Sequence, residues 1–143
     1  MLSSSFIKLM EVLPKPLVMK LAKMKVNGYM RKYAKINVKG LENIDKISGP
    51  KIFVCNHLSN SDALVLNEVL KKYDPTFVAG IKIINNPITS IGSMTVKKIA
   101  INPNIVDKDA IIKMVDILKN GNNLLIFPEG TRSRQGKMLE GKK

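Results

Sequence analysis

Cysteine, histidine and aromatic residues are scarce in this chain, and each scarcity removes a class of function. Among 143 residues there is one Cys, Cys55, and one His, His57. An intrachain disulfide is therefore excluded, which fits a reducing compartment, and no zinc-ligand spacing of Cys and His exists. Trp is absent and aromatics make up 5% of the chain. No aromatic platform interleaved with Arg is present on which nucleic-acid bases would stack. Long apolar runs are also missing: none approaches the ~20 residues a spanning helix needs. The N-terminus has no charged start followed by a long apolar core, so no secretory signal is expected. If the protein meets a membrane, it lies on it. Acidic residues are few, with 11 Asp and Glu against 24 Lys and Arg, a formal net charge of +13. Such a surplus favours phospholipid surfaces, phosphorylated substrates or nucleic acid without choosing among them.

What is present suits one domain with a sizeable core, since hydrophobic residues reach 45%. Residues 1–35 read as an N-terminal helical segment. Phe6, Met10 and Leu13 recur at helical spacing before Pro14 and Pro16 break the pattern. From Leu17 to about Tyr33, Leu17, Leu21 and Met24 fall on one side and Lys20, Lys23, Asn27 and Arg31 on another. That is the pattern of a basic amphipathic helix, suited equally to a packed surface helix and to a membrane interface.

Residues 36–143 alternate short apolar runs with helical stretches. Lys51–Cys55, Phe77–Ala79, Ile99–Ile101 and Leu124–Phe127 are candidate strands, and Ala63–Lys72 and Pro87–Val96 candidate helices. Asp107 is placed to cap a further helix running to about Asn120, with Gly121 to stop it. Strands alternating with helices predict an α/β fold with a mostly parallel sheet flanked by helices. In such sheets ligands gather beyond the carboxyl ends of the strands. The loops Asn56–Asp62 and Pro128–Ser133 would then open on one edge and share one site.

The first of these loops holds the chain's one histidine, the side-chain type that titrates closest to neutrality. A histidine that takes a proton from an alcohol benefits from a carboxylate that fixes its tautomer and stabilises the imidazolium. Asp62 is within reach if the loop turns tightly, although an Asp here also suits a cap for the helix that follows. In the second loop Gly130 allows close backbone approach to a ligand. Arg132 offers a planar fork for phosphate oxygens, and Glu129 an acceptor for a substrate hydroxyl. A plain turn with its charges in solvent would have the same composition. Cys55, two positions before His57, suggests a thiol–imidazole pair, but a strand-end Cys is more often a small buried hydrophobe.

Taken together, Asn56-His57-x-x-x-x-Asp62 after one strand and Phe127-Pro128-Glu129-Gly130-Thr131-Arg132 after a later one resemble the glycerophospholipid acyltransferase family. Within it the 1-acyl-glycerol-3-phosphate (lysophosphatidate) acyltransferases are nearest, over roughly Ile36 to the C-terminus. The resemblance implies His57 as the general base on the free hydroxyl of a lysophospholipid acceptor and Asp62 as its orienting partner. Glu129, Gly130, Thr131 and Arg132 would bind the acceptor. It further implies an acyl-CoA or acyl carrier protein thioester as co-substrate, no cofactor, no metal and no covalent acyl-enzyme. Phosphatidate would be the product, made at the cytoplasmic face of a membrane by a peripheral protein, with no nucleic-acid partner. Many members carry an Arg between the two blocks that contacts the acceptor phosphate. Here the stretch Lys97–Asn104 has none, leaving Lys97, Lys98 or Asn104 as substitutes. Family members usually continue with further sheet, so a C-terminally truncated domain is expected. Two alternatives use the same features: a non-catalytic anionic-lipid or nucleic-acid binding module, and a thioesterase-like hydrolase.

Overall fold

The computed structural model describes residues 13–59, 61–81, 95–102 and 105–142. The expected helical stretch through Phe6 and Met10, most of the one over Pro87–Val96, and Asn104 lie outside the described residues. The chain divides into two compact units, Met1–Lys35 and Ile36–Lys143.

In the first unit, helix α1 (Lys15–Tyr33) begins where two prolines stand. The Pro14 carbonyl accepts from the N–H groups of Leu17 and Val18 at 2.9 and 3.1 Å. Pro16 falls in the first turn, where its missing N–H costs nothing. The prolines therefore start this helix. Arg31 and Lys32 occupy its last turn and complement the helix dipole. The buried positions are Val18 and Ala22, whereas Leu17 and Met24 are exposed.

Among the described residues, the second unit is built on a four-stranded sheet of order β1-β4-β2-β3, in which every pairing is parallel. Its strands are β1 (Ile52–Val54), β2 (Thr76–Gly80), β3 (Lys98–Ile101) and β4 (Leu124–Ile126). A one-turn helix α2 (Glu42–Asp45) precedes β1. Helix α3 (Asp62–Val69) and a 3-10 turn (Lys71–Tyr73) join β1 to β2, and helix α4 (Lys108–Lys119) joins β3 to β4. This is an α/β fold with a parallel sheet and flanking helices, preceded by an N-terminal helix.

β4 lies inside the sheet, and Leu124 and Leu125 are almost wholly buried. An interior parallel strand is covered on both faces, which is why its sequence is uniformly apolar. β1 is an edge strand, and Ile52 and Val54 are exposed. The core gathers Leu70, Phe77, Val96 and Leu125, with Phe53, Leu66 and Phe127 packed against them. Asn123 ties the amino ends of the strands together. Its Oδ1 accepts from the Lys51 N–H at 2.8 Å and its Nδ2 donates to the Tyr73 carbonyl at 2.6 Å.

Asp107 caps α4 as expected, accepting from the Ala110 N–H at 3.0 Å, and it also holds the Asn102 N–H at the end of β3. Those two bonds pull its carboxyl below the ordinary value. At the other end of α4, Gly121 takes a positive φ of 76° and its N–H returns to the Leu118 carbonyl, closing the helix.

Candidate active site

β1 and β4 are neighbours in register, Ile52 opposite Leu124 and Val54 opposite Ile126. The ladder continues one step, with the Cys55 N–H donating to the Ile126 carbonyl at 3.2 Å. The chain segments leaving the two strands therefore run side by side at the carboxyl edge, and His57 arrives beside Glu129. The parallel sheet alone brings the two loops into one place.

Within the first loop, His57 Nδ1 lies 2.8 Å from Asp62 Oδ2. The same oxygen accepts from the Leu58 N–H at 2.7 Å and the Ser59 N–H at 2.8 Å. Asp62 is the first residue of α3, but its side chain turns back over the loop and does not cap the helix. Burial alone would raise the Asp62 carboxyl. The Ser59 N–H, the His57 ring and the Leu58 N–H outweigh it, and the net shift is downward. An ionised carboxylate can only accept, so the proton of the shared bond belongs to His57 Nδ1. That leaves Nε2 as the acceptor nitrogen of the neutral ring. One face of the imidazole is covered by Phe127, stacked at 4.3 Å between centroids and 22° between planes.

The second loop holds the main chain of the first. Glu129 is 3% exposed, with Oε1 accepting from the His57 N–H at 2.7 Å and Oε2 from the Leu139 N–H at 2.9 Å. The Ser133 N–H donates to the His57 carbonyl at 2.8 Å. The buried Ser133 hydroxyl accepts from the N–H groups of Gln135 and Lys137. Gly130 has φ +60°, and a Cβ there would sit 2.9 Å from Lys142 Cδ. The Lys142 N–H in turn donates to the Pro128 carbonyl.

Of the residues singled out in the sequence, His57, Asp62, Glu129, Gly130, Thr131 and Arg132 come together at this edge. Thr131 and Arg132 are exposed there. Lys97 and Lys98 do not join them. Lys98 is level with Phe77, which is level with Leu125 and Phe53. His57 lies four residues beyond Phe53, about 13 Å at ~3.3 Å per residue, and three strand spacings of about 4.8 Å away. Lys97 is nearer still to the amino end, where it pairs with Asp74 at 3.3 Å.

The thiol–imidazole pairing is disfavoured on chemical grounds. Burial, with the Asp62 charge adding to it, pushes the Cys55 thiol up, away from the thiolate a nucleophile needs. Cys55 instead lines a cleft of about 240 Å³ with Asn56, Leu58, Asp62, Val65 and Leu66. Phe127 and Ser133 act on His57 without having been singled out for it. Their contacts are to a ring face and a carbonyl, which no residue spacing advertises.

Fold and site together define an α/β protein with a carboxylate-paired imidazole at the carboxyl edge of a parallel sheet. The chain belongs to the Acyltransferase family, whose model matches residues 35–143. It is 32% identical over 114 residues to a chloroplastic 1-acyl-sn-glycerol-3-phosphate acyltransferase of Arabidopsis thaliana, covering 78% of this chain and 31% of that protein. A chloroplastic protein of the same description from Brassica napus is 28% identical over 114 residues, covering 78% of this chain and 32% of its own length. The crystal structure of the 1-acyl-sn-glycerophosphate (LPA) acyltransferase PlsC from Thermotoga maritima superposes with a TM-score of 0.52 at 25% identity. That match covers 90% of this chain and 49% of PlsC. The chain thus spans about a third of the length of these curated relatives and half that of the solved structure.

Proposed function

We propose that this chain carries the acid–base site of a lysophosphatidate acyltransferase, moving an acyl group from a coenzyme A or acyl carrier protein thioester to the free acceptor hydroxyl. The observation that carries the reading is the His57 Nδ1 to Asp62 Oδ2 contact of 2.8 Å. It leaves Nε2 to take the hydroxyl proton as the oxygen attacks the thioester carbonyl. The C–S bond then breaks, and the imidazolium returns the proton to the departing thiolate. The acyl group passes directly to the acceptor, giving phosphatidate and free thiol.

Arg132, exposed at the rim of the site, is assigned the acceptor phosphate, since the planar guanidinium matches phosphate oxygens. Val65 and Leu66 on the cleft wall offer apolar surface to a substrate acyl chain. The lipid acceptor and the basic surplus both favour a peripheral position on the cytoplasmic, anionic face of a membrane. No helix among the described residues is long and apolar enough to cross one.

The test is transfer of acyl groups to radiolabelled lysophosphatidate in liposomes, by this chain and by its His57→Ala variant. Labelled phosphatidate from the first and none from the second is the expected result. Thioester cleavage at equal rate with and without acceptor would instead identify a hydrolase.

A further inference from the structure

We propose that Glu129 is a positioning residue for the base and makes no contact with the acceptor. This rests on the reading of His57 as that base. Both carboxylate oxygens of Glu129 are occupied by main-chain donors, Oε1 by the His57 N–H at 2.7 Å and Oε2 by the Leu139 N–H at 2.9 Å. The side chain is buried, whereas Thr131 and Arg132 of the same loop are exposed and free to meet a ligand. The loop therefore divides its work: Glu129 faces inward to the peptide of His57, and Arg132 faces outward.

The physical need for such a residue comes from where the sheet stops. The regular ladder between β1 and β4 ends with the Cys55 N–H, two residues before the imidazole. Beyond it the His57 N–H leaves the ladder and donates to the Glu129 side chain, while the Leu58 and Ser59 N–H groups that follow are held by Asp62. Glu129 takes over the role of the next strand residue with a short, charge-assisted bond. Ser133 holds the carbonyl on the other side at 2.8 Å. With the peptide held on both sides, Asp62 and Phe127 have only the ring torsions left to settle. Displacement of a reacting group by about 1 Å can cost a hundredfold in rate, so control at the main chain matters as much as at the ring.

Glu129→Gln tests the division of labour. Glutamine keeps the shape but offers one acceptor oxygen and an NH₂ group, which cannot accept from the second N–H. The expected result is a fall in kcat of about ten- to a hundredfold with the KM for lysophosphatidate unchanged. A raised acceptor KM at unchanged kcat would mean direct acceptor contact and would overturn the proposal. A second readout needs no turnover. Because His57 is the one histidine in the chain, its backbone amide and labelled imidazole each give a single NMR signal. Glu129→Gln should shift both, and Arg132→Gln should shift neither. Unmoved His57 signals in Glu129→Gln would sink the idea. If that variant fails to fold, hydrogen exchange in the unsubstituted protein decides. The His57 N–H should be protected like the Leu125 amide, and exchange at the rate of open loop amides would contradict the proposal. Should His57→Ala retain full transfer activity, the base assignment fails while the NMR and exchange outcomes still decide the positioning.

Discussion

The His57 ring and the N–H groups of Leu58 and Ser59 all converge on Asp62 Oδ2, and this crowding sets the proton inventory of the site. Asp62→Asn would replace an acceptor by an amide that can present either its oxygen or its NH₂ group. It would remove the charge that steadies an imidazolium. We expect kcat to fall by about 10²–10⁴-fold with acceptor binding retained, read from initial rates at saturating lysophosphatidate. The pH dependence has a definite sign. The folded carboxyl titrates below its ordinary value of 3.8. The stability contributed by ionised Asp62 is thus fully present above about 3.8 and is lost as pH falls below it, through the folded value. Carbon NMR of the Asp62 carboxyl should show a midpoint below 3.8, and a midpoint above it would contradict the arrangement. Both members of this pair were legible in the sequence, one as the single His and the other as an Asp one tight turn away. Which way Asp62 turns was not legible, because a cap and a tautomer-fixing partner use the same residue at the same place.

At the level of elements, the strands declare themselves because each is a short apolar run bounded by polar or turn residues. Their burial depends on a neighbour relation that local pattern does not contain. Leu125 and Ile52 are both aliphatic strand residues. The first is 0% exposed on an interior strand and the second 52% exposed on an edge strand. Leu125→Ala should therefore cost about 2–5 kcal/mol, a cavity at the sheet centre, whereas Ile52→Ala should cost far less. Urea unfolding followed by circular dichroism would measure both, and equal losses would argue against the strand order. The helix capped by Asp107 was readable from its cap and its stop signal alone. α1 was readable as a helix, but which of its apolar side chains are buried was not, since Val18 and Ala22 are buried while the larger Leu17 and Met24 are exposed.

For the whole molecule the dominant fact is the +13 net charge, spread over both units. Most of these cations are exposed lysines whose attraction to an anionic surface is long-ranged and screened by salt. Binding to phosphatidylserine-containing vesicles should weaken sharply as NaCl rises from about 0.1 M to 1 M, where the Debye length shrinks from ~10 Å to ~3 Å. Flotation with neutral vesicles as control would measure this. Salt-independent binding would point to insertion of exposed apolar side chains such as Met24 and Tyr29 instead.

Sequence alone determined the chemistry on offer: one imidazole, a carboxylate in reach of it, an arginine-bearing turn, and an alternation of elements that leads to a parallel sheet. These are local properties, written in residue type and spacing. Only the tertiary structure decided which groups meet. It placed β4 beside β1 and so His57 beside Glu129, and it left Lys97 and Lys98 behind on a more distant strand. It also turned Glu129 inward to a peptide N–H. The reason is physical: strand order is settled by packing of the whole sheet and by the crossovers that connect it. Residues far apart in the chain become partners only after that order exists.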